Sequence, residues 1–178
     1  MVYVLLANGF EEIEALTPVD IMRRAGIEVK TVTITDELGV LGAHNIKVEA
    51  DIKLAEVNRE EMDLLMLPGG AGHVNLDECG EVHELINYAV ENGKYVAAIC
   101  ASPSIIGKMG ILEGKKATAF PGFEKFLKGA EVVADKVVVD GKIITAKGAG
   151  ASAEFGFLIV EKLICKKTAD QLKETMQY

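Results

Sequence analysis

Basic residues are in short supply in this chain: 19 lysines and arginines stand against 27 aspartates and glutamates, for a formal charge of −8. Phosphate backbones are held by basic stripes. The densest basic run, Lys166–Lys167 beside Lys162, is diluted by acids, so nucleic acid is not an expected partner. Long apolar runs are also lacking. None approaches the roughly 18 residues of a membrane span, so no membrane contact is expected. Met1 leads straight into an apolar stretch with no basic segment or cleavage site, and no secretory signal is expected. Cysteine is sparse, with three residues at 79, 100 and 165. An odd count without short spacings is neither a disulfide framework nor a zinc site, which predicts free thiols in a reducing cytoplasm, no metal and no cofactor. Four prolines against 18 glycines indicate tight turns rather than disorder.

What is present is enough for one domain over residues 1–178. A chain of this length buries about 70% of its unfolded surface. Val2–Ala7 is a continuous apolar run ending at Asn8–Gly9, as expected of a parallel strand covered on both faces. Ile13, Leu16, Val19 and Met22 recur at threes within a helix from about Glu11 to Ala25, closed by Gly26, with a kink or break expected at Pro18. Glu28–Ile34 alternates as a second strand, and Asp36–Glu49 reads as a small appended β hairpin. Leu64–Leu67 and Tyr95–Ile99 are further buried strands. Glu81–Glu91 and Pro103–Met109 are helices. Glu131–Thr145 holds three short β pieces, and helices follow over Ser152–Ile164 and Ala169–Met176. Strands alternating with helices predict a doubly wound, mostly parallel α/β sheet with helices on both faces. Ligands in such folds sit at the carboxyl ends of the strands. There the loops Asn8–Glu14, Pro68–His73 and Cys100–Ser104 carry unusual residues.

Cys100 stands at the corner where the Val96–Ile99 run meets the next helix. Oriented amides and a helix start favour a thiolate, and such settings lower a thiol from about 8.5 to between about 3.5 and 7.5. The arrangement follows the strand–turn–helix logic of a nucleophile elbow, although G-x-S-x-G is absent. The alternative is a small buried hydrophobe. Glu14 follows Ile13 in the run Glu11–Glu12–Ile13–Glu14. It reads either as a surface acid of a helix's first turn or as an inward acid able to move a proton. The loop Leu67–Gly72 (LPGGAG) offers unobstructed amides for an oxyanion, or is a plain turn. It is neither a dinucleotide nor a phosphate loop, because Asn75 replaces the third glycine and no Gly-Lys-Ser/Thr follows. His73 follows that loop within reach of the strand ends, whereas His44 and His83 read as turn and solvated residues. Cys79, beside Asp77–Glu78, reads as structural or incidental, and Cys165, at the end of an apolar helix, reads as core or rim.

Four segments in order, Gly9–Gly26, Asp63–Gly70, Ala97–Gly107 and Lys147–Leu163, together resemble the ThiJ/PfpI family, in its deglycase and YajL-like branch. The resemblance runs nearly end to end. It implies a flavodoxin-like fold, a homodimer, Cys100 as the reactive nucleophile and Glu14 as the acid bonded to it. It also implies Gly69 and Gly70 at the oxyanion pocket with the Ala101 amide opposite, and Arg24 and Ser152 in the surrounding shell or the dimer seam. Two departures bear on activity. The protease-like branch carries histidine directly after the cysteine, and here Ala101 stands there, which disfavours a peptidase. The deglycase branch carries a histidine beside the cysteine, and the matching residue here is Phe120, which cannot transfer a proton. The resemblance implies glyoxalase or deglycase chemistry on a small reactive carbonyl or glycated substrate. The alternatives are a redox-sensing chaperone in which Cys100 is oxidised to sulfinic acid without turnover, and a role in thiazole monophosphate biosynthesis. The last lacks a phosphate loop. Cys100 is expected to be the thiol oxidised first.

Overall fold

Every residue of the first strand is buried, because helices cover both faces of the sheet it lies in. The computed structural model describes residues 1–178. In chain order the elements are β1 (Val2–Leu6), α1 (Glu12–Arg24), β2 (Val29–Thr33), β3 (Gly39–Leu41), β4 (Lys47–Glu49) and β5 (Ile52–Lys53). Then follow β6 (Leu64–Leu67), α2 (His73–Glu78), α3 (Gly80–Glu91), β7 (Tyr95–Ile99), α4 (Pro103–Lys108) and β8 (Lys116–Ala117). The chain closes with β9 (Glu131–Val132), β10 (Val137–Asp140), β11 (Ile143–Ala146), α5 (Ser152–Leu163) and α6 (Lys166–Thr175).

The main sheet has seven strands in the order β10-β11-β7-β6-β1-β2-β5. All its pairs are parallel except the edge pair β10–β11. Alternation along β1 divides the core in two. Val2, Val4 and Leu6 pack with Met22, Phe155 and Val160 of α1 and α5. Tyr3, Leu5 and Ala7 pack on the other side with Leu85, Ile86 and Ile105 of α3 and α4. The chain lays β2 and β5 to one side of β1 and then returns to the other side with β6. This reversal between β1 and β6 opens a crevice at their carboxyl ends. The architecture is the expected flavodoxin-like α/β fold.

The hairpin β3–β4 forms its own two-stranded ladder, joined to the body by a bridge between Phe10 and Gly42. The three short β pieces expected over Glu131–Thr145 are β9, β10 and β11. Three local expectations are corrected. Helix α1 runs unbroken through Pro18, held by its packing on α5, where Gly156 lets Pro18 and Ile21 approach. Of the stripe read along α1, Val19 and Met22 are buried, Leu16 is half-buried, and Ile13 is 53% exposed. Helix α2, with Leu76 its one buried residue, was not expected from its polar sequence. No helix is long and apolar enough to cross a membrane.

Candidate active site

Strand β7 ends at Ile99, and Cys100 turns the chain with φ 65°, a left-handed conformation that a side chain adopts only under constraint. Two backbone bonds impose it. The Cys100 amide donates to the Ala146 carbonyl at 2.8 Å, and the Phe120 amide donates to the Cys100 carbonyl at 2.8 Å. The Ser102 hydroxyl donates to the Pro68 carbonyl at 2.6 Å and ties the turn to the glycine loop. This is the sharp, strained corner of a nucleophile elbow, and it leaves the thiol half-buried at the crevice.

Glu14 enters the same crevice from the first turn of α1. Glu11 caps that helix by accepting from the Glu14 amide at 2.7 Å. The Glu14 side chain is buried, with Oε2 accepting from the Gly69 amide at 3.0 Å. The Cys100 thiol and the Ala149 amide also face this carboxyl and lower it. A side chain at position 69 has no room: its Cβ would lie 2.6 Å from both the Cys100 Cβ and Glu14 Oε2. Gly70 has φ +83°, and a Cβ there would meet the Glu11 amide and the Gly9 carbonyl at 2.5 Å. The glycine loop and the Asn8–Glu11 loop thus lie backbone against backbone, joined by Glu11 N–H to Gly69 O at 3.1 Å and Gly72 N–H to Gly9 O at 2.8 Å. The Gly70 and Ala101 amides face the sulfur, and neither donates to a backbone acceptor. They are free to stabilise an anion there.

Burial raises the Glu14 carboxyl to about 7. The bond from the Cys100 thiol opposes this, the Glu11 charge adds to it, and the Gly69 and Ala149 amides offset part of it. Burial, then the Glu14 charge and the bond to Glu14, push the Cys100 thiol up to about 12 against the two facing amides. This corrects the expected lowered thiol. Helix α4 has only six residues and adds little dipole, while burial and a neighbouring carboxylate both oppose a second charge. The two groups form a coupled pair that gives up its first of two protons through about pH 7 and holds the second toward about 12. A proton passing from sulfur to Glu14 produces the thiolate without changing the pair's charge.

The other candidates divide. His73 Nδ1 lies 2.8 Å from the Gly70 carbonyl and its ring meets Phe123 edge-on at 5.2 Å, so it braces the glycine loop rather than bonding Cys100. The Phe120 ring covers Gly148, near Glu14, and is 46% exposed. Ser152 starts α5, buried directly after the turn that supplies the Ala149 amide. Arg24 is not in the pocket's shell: it pairs with Asp20 at 2.7 Å, ten residues along α1 from Glu14, about 15 Å by helical rise. Cys79 is half-buried, and Cys165 is exposed beside Thr168, which lowers its thiol. His83 is half-buried, its Nε2 3.7 Å from Asp77. Sequence reasoning missed the Ala149 amide and the burial of Glu12, which accepts from the His44 amide at 2.7 Å and contacts His44 Nδ1 at 2.8 Å. Glu11, Glu12 and His44 form the chain's one group with metal-ligand spacing. Two cavities of about 660 Å³ lie elsewhere, one at the opposite end of the sheet and one beside the hairpin.

Residues 1–162 match the DJ-1/PfpI family. The chain is 38% identical to Protein DJ-1 homolog B of Arabidopsis thaliana over 94% of its length, but spans only 39% of that protein. It is 35% identical to the Parkinson disease protein 7 homolog of Danio rerio, covering 96% of this chain and 93% of the relative. Oxidized Toxoplasma gondii DJ-1 superposes with a TM-score of 0.94 at 32% identity, covering 99% of this chain and 97% of that one. Drosophila melanogaster DJ-1beta superposes with a TM-score of 0.94 at 33% identity, covering 99% and 96%.

Proposed function

The chain belongs to the DJ-1/PfpI family, and from that premise we propose that it is a cytoplasmic stress-response protein that acts on reactive carbonyls or glycated adducts through Cys100 and Glu14. The observation that carries this reading is the Cys100–Glu14 pair beneath two free amides. With an α-oxoaldehyde, Cys100 Sγ bonds to the aldehyde carbon as the thiol proton passes to Glu14. Glu14 returns that proton to the carbonyl oxygen, and the Gly70 and Ala101 amides stabilise the oxygen while it is negative. Glu14 then removes the hydrogen of the former aldehyde carbon as a proton and delivers it to the adjacent carbon, while the hydroxyl proton on the first oxygen passes to the adjacent carbonyl oxygen, converting the hemithioacetal through an enediol to a thioester. Water cleaves the thioester to a 2-hydroxy acid and frees the thiol.

Phe120 favours a second reading. Position 120 adjoins Cys100 through a backbone bond, and a phenyl ring there supplies no proton. Positioned acid–base groups typically contribute 10²–10⁴-fold, so turnover is expected to be slow. A redox role, with Cys100 oxidised to sulfinic acid as the signal, needs no such group. The protein is further read as a homodimer. Ile13 on α1 and Leu41 and Ile46 of the adjoining hairpin are exposed apolar residues at one end of the molecule. The test of the main reading is lactate release from methylglyoxal by the wild-type chain and by Cys100→Ser. Intact mass before and after dilute peroxide is measured in parallel in a Cys79→Ser/Cys165→Ser background. Release that depends on Cys100 supports carbonyl chemistry. Release unaffected by Cys100→Ser removes it. Two added oxygens without any lactate favour the redox role.

A further inference from the structure

Phe120 puts an apolar surface beside the reacting pair and takes no part in the proton transfers. It is 46% exposed. Gly148 fixes where its ring stands. A Cβ built at position 148 would lie 3.2 Å from Phe120 Cδ2, 3.8 Å from Phe120 Cε2 and 3.7 Å from Glu14 Oε1. The ring and the carboxyl therefore flank the same glycine, and that carboxyl in turn meets the Cys100 thiol. Gly148 is buried beneath them, while nearly half of Phe120 stays open to solvent. The phenyl ring has no donor or acceptor to offer a reacting group, so what it supplies at the mouth of the crevice is apolar contact.

The segment that carries the ring is pinned on both sides. The Phe120 amide donates to the Cys100 carbonyl at 2.8 Å, and the Phe120 carbonyl accepts from the Phe123 amide at 2.9 Å. Two residues earlier, the Thr118 amide donates to Thr145 Oγ1 at 3.0 Å in the interior. Pro121 follows and narrows the backbone freedom of the residue before it. An aromatic side chain held in this way gains contact with an apolar group at a smaller ordering cost than a mobile one.

Resting on the carbonyl chemistry above, we propose that Phe120 is a specificity-determining residue. It selects α-oxoaldehydes whose ketone carbon carries an aryl group over methylglyoxal and over polyhydroxylated, sugar-derived carbonyls. Cys100 Sγ bonds to the aldehyde carbon, so the substituent sits on the adjacent carbon, one bond further from sulfur. Glu14 serves both carbons in turn. The substituent of the second carbon thus lies on the Glu14 side of the site, where the Phe120 ring stands. An aromatic pair is worth about two- to tenfold in affinity beyond the apolar area it covers. This contact is made equally before and in the transition state, so it lowers KM and leaves kcat unchanged.

The test separates contact with Phe120 from turnover. Alkylation of Cys100 in the full chain is followed by residue-resolved mass spectrometry with iodoacetamide, N-benzyl iodoacetamide and N-hydroxyethyl iodoacetamide. Cys165, exposed just past the far end of α5, is the internal reference. Relative to Cys165, the benzyl reagent is expected to gain about three- to tenfold over iodoacetamide at Cys100, and the hydroxyethyl reagent nothing. Phe120→Ala should abolish the gain. Phe120→Leu, which keeps apolar bulk and guards against misfolding of the alanine variant, should reduce it to a smaller factor. Mandelate release from phenylglyoxal and lactate release from methylglyoxal are measured in the same proteins. Phenylglyoxal is expected to show the lower KM, and Phe120→Ala to raise that KM several-fold with kcat unchanged and a smaller effect on methylglyoxal. No benzyl gain at Cys100, or one that survives in both variants, overturns the proposal. An equal gain by the hydroxyethyl reagent overturns the preference for apolar substituents. No turnover of either aldehyde removes the carbonyl reading, and the alkylation ratios then show on their own whether Phe120 selects apolar groups at Cys100.

Discussion

Cys100 pays for its exposure in backbone strain, since a left-handed conformation costs a side-chain-bearing residue about 1–2 kcal/mol. Cys100→Gly is therefore expected to be more stable than Cys100→Ala by about that amount in urea denaturation, the reverse of the usual order for these residues. Glu14 carries a second cost. Its carboxyl lies at about 7 in the folded chain against an ordinary 4.5. Below 4.5 both states are protonated. As pH rises from 4.5 to 7 the unfolded chain ionises first, and stability falls by up to about 3 kcal/mol. Glu14→Gln should remove this loss, so the variant is expected to be more stable than the wild type at pH 8 and close to it at pH 4. A wild-type stability that is flat between pH 4.5 and 7 would contradict the assignment. Little of this was legible in the sequence. A run of acids at a helix start is ordinary surface chemistry, and nothing local distinguishes Glu14, turned inward, from Glu11. The φ of Cys100 is imposed by Ala146 and Phe120, residues far along the chain.

Helices and strands that are long and apolar were readable from periodicity: β1, β6, β7, α3 and α5 all lie where alternation or helical spacing puts them. What failed was local reasoning overridden by tertiary contact. Pro18 removes a helical hydrogen bond, yet α1 continues because α5 supports it through Gly156. A Cβ at position 156 would lie 3.0 Å from Ile21 Cδ1 and 3.1 Å from Pro18 Cα. Gly156→Ala is accordingly expected to destabilise the chain by about 1–3 kcal/mol. It should also slow Cys100 chemistry, because α1 carries Glu14. Thermal unfolding and Cys100 alkylation together check this, and a variant unchanged in both would show that the close approach is not needed. Helix α2 escaped notice because one buried leucine leaves no pattern to read.

For the molecule as a whole, the order of strands delivers Asn8–Glu14, Pro68–His73 and Cys100–Ser104 to one crevice, and that convergence was visible from the sequence alone. The seam was less visible, because the stripe read along α1 faces the core at Val19 and Met22 and solvent at Ile13. Sedimentation at micromolar concentration is expected to give twice the 19.1 kDa chain mass, and Ile13→Lys is expected to shift it toward monomer. A wild-type chain that sediments only as a monomer would remove the dimer.

The central claim is that Cys100 and Glu14 share one proton, and the pH profile of Cys100 alkylation tests it most directly. Residue-resolved mass spectrometry keeps the signal separate from exposed Cys165, whose lowered thiol competes for reagent. In the wild type the rate at Cys100 should rise through about pH 7, as the pair loses its first proton, level off, and rise again toward about 12. In Glu14→Gln the step near 7 should vanish, leaving one ionisation below that upper value, because the neighbouring negative charge is gone. A step near 7 that persists in Glu14→Gln, or a single ionisation in the wild type, would contradict the shared proton.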